Sequence, residues 1–124
     1  MRHQFTAGQI RMLVDRAERQ LEQIIAGSVK QEPASKNIAR SSHVALHETV
    51  VSLIRLFRDQ LPGAASVATQ IAREYAKGVD AKTGAPTLAC VRTIASLVRE
   101  ARARHLSPEL EMGQVSTSPF PSSV

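Results

Sequence analysis

Tryptophan is absent from the chain, and tyrosine and phenylalanine together supply only Tyr75, Phe5, Phe57 and Phe120. Stacking of unpaired bases on aromatic platforms, the usual grip on single-stranded nucleic acid, therefore has almost no material. Any core must be built from Leu, Ile, Val and Ala. A single cysteine, Cys90, excludes an intramolecular disulfide and asks for no oxidising compartment. No apolar run reaches the length of a membrane span, and the opening MRHQFTAGQIRMLV lacks the apolar stretch of a signal peptide. The expected location is the cytoplasm, with no membrane partner. Alternating stretches of strand length are missing too, as is any repeat at solenoid spacing.

What the chain does have is 124 residues, 43% hydrophobic and 22% charged, which is enough for one compact core without staples. Its formal net charge of +5 suits an anionic partner, but charge of this density bears on association rather than on fold.

The apolar pattern is helical. Thr6 and Gln9 have capping-box spacing, and Phe5 and Ile10 have that of a hydrophobic staple. Ile10, Leu13, Val14, Ala17, Leu21, Ile24 and Ile25 follow along one face, Arg11, Asp15 and Arg19 form a solvated outer face, and Gly27 supplies a stop. Residues 27–40, with Gly27 and Pro33, read as a connection, although a second helix could begin as early as Ser35; that helix runs to Leu61 and halts at Pro62-Gly63. Its residues Leu46, Val50, Val51, Leu53, Ile54, Leu56 and Phe57 are wider than one stripe, so it needs neighbours on two sides. It is expected either at the centre of the bundle or in a homodimer, with Leu46, Val50, Leu53 and Phe57 as the dimer face.

The third helix, from Ala64 to Lys77, turns Ala64, Ala68, Ile71, Ala72 and Tyr75 inward and ends at Gly78. GVDAKTGAP reads as a loop, and Pro86 falls in the first turn of a fourth helix whose core side is Leu88, Val91, Ile94, Ala95, Val98 and Ala101. Pro108 bars its continuation. From Ser107 to Val124 there are too few apolar residues to repay the entropy of ordering. The expected fold is all-α: a four-helix bundle-like single domain over residues 1–106, with a disordered tail over 107–124.

Few constellations suggest chemistry. His43 and His47 have the i, i+4 spacing that aims two imidazoles at one metal, yet Glu48 follows the second histidine, whereas in H-E-x-x-H the Glu lies between the two. His3, His105 and Cys90 lie on other segments, so no metal or cofactor is expected. Cys90, between Ala89 and Val91, reads as a small core hydrophobe rather than a nucleophile. Lys82-Thr83 precedes Gly84, the reverse of a phosphate-binding loop. IAREYA and TLACVRTIASL could form two helices of a helix-turn-helix, but the stretch from Lys77 to Pro86 exceeds that motif's turn of about three or four residues, and two packed bundle helices fit better.

Arg92, Arg99, Arg102 and Arg104 leave the fourth helix basic on its outer side, as a candidate surface for a protein partner or DNA. The resulting expectation is a non-catalytic helical binding or regulatory protein of adaptor, chaperone or inhibitor type, homodimeric and acting through protein–protein contacts. The alternative is a DNA-binding transcriptional regulator that uses this basic face.

Overall fold

The computed structural model describes residues 4–31, 36–80, 82 and 84–106, and the expectations for the tail after 106 lie outside them. The described chain is a four-helix bundle: α1 (Ala7–Gln31), α2 (His43–Gln60), α3 (Ala65–Lys77) and α4 (Leu88–His105). Short 3-10 turns at Arg40–Ser42 and Pro62–Ala64 lead into α2 and α3. No strand forms among the described residues.

Each helix packs on its two neighbours in a ring, α1 on α2 and α4, and α3 on α2 and α4. Every neighbouring pair is antiparallel, because the start of one helix meets the end of the next. The Phe5 amide donates to Gln60 Oε1 at 3.0 Å, Arg11 Nε donates to the Leu106 carbonyl at 3.4 Å, and His47 meets Tyr75. At the same end as Leu106, Gly63 faces the ring of His105. The enclosed core of the described residues is aliphatic apart from Phe57 and Cys90, as an aromatic-poor composition requires.

The capping box forms as its spacing predicts, with the Gln9 amide donating to Thr6 Oγ1 at 3.1 Å and the Thr6 amide to Gln9 Oε1 at 2.8 Å. Gly27, however, does not stop α1, which continues to Gln31. Ser28 lies on the buried face beyond it, and Ser28 Oγ accepts the Ala39 amide at 2.8 Å, so burial and a hydrogen bond carry the helix through the glycine. A Cβ at Gly27 would meet nothing within 4 Å. Gly27→Ala should therefore raise stability by about 0.5–1 kcal/mol through the smaller entropy of the unfolded chain, read as a higher denaturant midpoint.

Helix two begins at His43 and not at Ser35, the earliest start its sequence allows, because residues 36–38 pair with the stretch before α4. The Ile38 amide donates to the Pro86 carbonyl at 3.1 Å and the Leu88 amide to that of Lys36 at 2.7 Å. Pro86 correspondingly precedes α4 instead of opening it, and the cap is Thr87, whose Oγ1 accepts the Cys90 amide at 3.1 Å. In the loop, Gly84 has φ +73, the left-handed conformation that favours glycine. Ala64, Ala68 and Ile71 face inward as expected, but Ala72 is exposed.

The four residues expected at a dimer face are core instead: Leu46, Val50 and Phe57 are 0% exposed and Leu53 is 1%. The wide apolar surface of α2 is covered within one chain, by α1 on one side and α3 on the other. That expectation thus loses the surface that motivated it.

Candidate functional site

A cleft of about 660 Å³ lies between α1 and α2. It runs from Phe5 and Gln60 at one end to Gln20 and Ala45 at the other. Its floor is apolar, made by Leu13 and Ala17 from α1 and by Leu53 and Leu56 from α2. It stays unfilled because Ala17, Ala45, Thr49 and Ser52, where the two helices face each other, are all small. Exposed Arg16 edges the α1 side, and exposed Glu48 and Arg55 edge the α2 side. Among the described residues no imidazole or thiol lines it, and what they offer there is apolar contact with charge at the lips.

The two helical histidines lie elsewhere, at the end of the bundle where the loops meet. His43, Val44 and His47 of α2 face Tyr75, Val79 and Pro86 across a hollow of about 510 Å³. His47 Nδ1 is 3.3 Å from the Tyr75 hydroxyl, so this histidine already has a hydrogen-bond partner. No group of three or more His, Cys, Asp or Glu residues assembles into a metal-binding cluster among the described residues. His105 sits by Gly63 at the opposite end.

Cys90 is buried, and its thiol donates to the Glu74 carbonyl at 3.4 Å. Burial pushes its pKa above the ordinary thiol value, with the Glu74 carboxylate adding to the effect. A nucleophilic cysteine needs the opposite shift, so this is a packing cysteine. Tyr75 is likewise raised, first by burial and then by Cys90.

The basic face of α4 divides in two. Arg92 and Arg104 are exposed. Arg99 and Arg102 turn instead toward a row of carboxylates on α1, Asp15, Glu18 and Glu22. Arg99 Nε lies 3.4 Å from Glu18 Oε2, and its Nη2 lies 3.6 Å from Glu22. Arg102 Nη1 lies 3.0 Å from Asp15 Oδ1 and 2.9 Å from Glu18 Oε1, the latter an ion pair off the line of a hydrogen bond. The hydrogen bond to Asp15, ahead of the attraction of Glu18, raises the Arg102 pKa above its ordinary value against a partial loss of solvation. Glu18 is only 6% exposed, so these arginines offset the cost of a buried carboxylate.

Asp15 is thus not part of a solvated outer face, as its spacing to Arg11 and Arg19 suggests. The sequence did carry a signal for this cluster: acids at i, i+3 and i+7 on α1 match arginines at i and i+3 on α4.

No helix among the described residues is long and apolar enough to cross a membrane. Compared with known proteins, the chain matches no family model, no curated protein and no solved structure.

Proposed function

We propose that the protein is a non-catalytic helical binding protein that takes a protein partner in the cleft between α1 and α2. The cleft itself carries the reading: a trough along two helices, with an aliphatic floor, small residues that let a backbone approach, and charges at its edges. That arrangement suits docking of a helix or extended segment, in which apolar contact supplies affinity and the charged rim supplies orientation. The alternative, DNA recognition by α4, is weaker than its sequence suggested, since Arg99 and Arg102 are directed at the carboxylates of α1. The two segments likened to a helix-turn-helix also pack as antiparallel neighbours, with Gly78 against Cys90 and Gly63 against His105.

Ser52→Trp fills the trough from an exposed position and should leave the melting temperature unchanged. Partners captured from native lysate by the unaltered chain should then be lost. Equal capture by the two chains would remove the cleft from the proposal. Random duplex at low salt should give no salt-sensitive gel shift, and a clear shift would move the reading to nucleic acid.

A further inference from the structure

We infer that the chain's own C-terminal segment occupies this cleft, with Phe120 set between α1 and α2, so that a protein partner must displace it to bind. The inference rests on reading the cleft as a protein-docking surface and adds the regulation of that surface.

The segment leaves the bundle within reach of the cleft. Leu106 is buried at the end of α4, and its carbonyl accepts Arg11 Nε of α1. Arg11 is thus on the α4 side of α1, while Leu13 and Ala17 are on the cleft side. At about 100° per residue, the way round the outer face of α1 passes Arg19, Met12 and Arg16 before it reaches Leu13. All three are exposed. For a chain lying on the side chains of a helix that arc is roughly 30–35 Å. From Leu106 an extended chain reaches about 45 Å by Phe120, so the aromatic ring arrives at the cleft with length to spare.

The route matches what the segment carries. Glu109 and Glu111 are the only charged side chains in residues 107–124, and both come early. The side chains of Arg16 and Arg19, which flank the route, pair with no other described residue. Met12, between them, is 51% exposed, and Leu110 and Met112 alternate with the two acids at the point where an apolar cover is needed.

At the cleft itself the requirement is bulk. Ala17, Ala45, Thr49 and Ser52 leave open space above the apolar floor, and Phe120 is the largest apolar side chain of the segment. Pro119 and Pro121 restrict the backbone on either side of it, which lowers the entropy lost on docking. A segment with so few apolar residues does not order alone, but one aromatic anchor on a ready-made floor can hold it.

Phe120→Trp in the full chain places the molecule's sole tryptophan at the proposed contact. Its emission should lie to the blue of water-exposed indole and resist quenching by acrylamide, equally from below one micromolar to tens of micromolar. Adding Ser52→Arg, at an exposed position that sets a charge over the floor, should return the emission to that of indole in water. A peptide of residues 107–124 should bind the full-length Phe120→Ala chain roughly tenfold more tightly than the unaltered chain, as for a cleft filled about nine-tenths of the time. Circular dichroism should match the unaltered protein throughout. Water-like emission in Phe120→Trp, emission indifferent to Ser52→Arg, or equal binding of the peptide to both chains would each overturn the inference. A blue shift lost on dilution would overturn it too, by giving the segment to another copy's cleft. Water-like emission with partner capture still lost in Ser52→Trp would overturn only the segment as occupant. Capture unaffected by Ser52→Trp would overturn the docking reading itself.

Discussion

Phe57→Ala should remove about 4 kcal/mol of folding stability, among the largest effects of a single core truncation. Phe57 is the only aromatic side chain among the buried core residues described and is fully buried among largely aliphatic neighbours. Its loss forfeits transfer free energy and leaves a void that a bundle pinned on both sides of α2 can only partly close. For about 100 ordered residues this corresponds to a fall in Tm of well over 10 °C. Chemical denaturation at several protein concentrations also separates the core placement from a dimer face. A core residue lowers the midpoint equally at all concentrations, whereas an interface residue would leave the monomer's stability intact and shift only its association.

Gly78→Ala should cost about 3 kcal/mol, for the opposite reason. A Cβ there would overlap the Cys90 side chain and come within 2.8 Å of the Glu74 carbonyl. The carbonyl belongs to the last turns of α3 and cannot move without unwinding them. Backbone strain plays no part, since Gly78 has φ -90. Cys90→Ala, by removing the thiol, should recover part of the loss in the double variant. The remainder belongs to the Cβ at position 90, which alanine keeps, and to the Glu74 carbonyl. Cys90 itself provides a readout: a thiol reagent should modify it slowly in the parent and much faster in Gly78→Ala, because opening of that packing admits the reagent. An unchanged Tm and an equally shielded thiol would show that α3 and α4 are not as close at this point as the structure has them.

The helical layout was legible because its signals are local. Thr6 with Gln9, the apolar rows of Leu88 through Ala101, and the glycine after Lys77 all act within a few residues. Departures came where a distant segment decided. Gly27 lies inside α1 because Ser28 has work to do with Ala39, and α2 starts only at His43 because residues 36–38 bond to the chain near Pro86. The excess apolar surface of α2 was visible, but whether another helix or another chain covers it depends on the ring order of the bundle. The same holds for the cleft. Ala45, Thr49 and Ser52 are small at helical spacing, but smallness becomes a trough only opposite Ala17. The arginines of α4 read as a basic surface in one dimension, and the carboxylates that claim two of them are more than eighty residues earlier, as in the pairing of Arg99 with Glu18.

The backbone pairing of Lys36 and Ile38 with Pro86 and Leu88 ties together the two connections at one end of the bundle. Without it the molecule would be two helical hairpins, α1 with α2 and α3 with α4, held by side chains alone and free to fray separately. With it, opening either hairpin at that end breaks hydrogen bonds that belong to the other. The two halves therefore share a single cooperative unit there, while the opposite end, where α2 turns into α3 and α4 finishes, carries no comparable cross-link among the backbone bonds of the described residues.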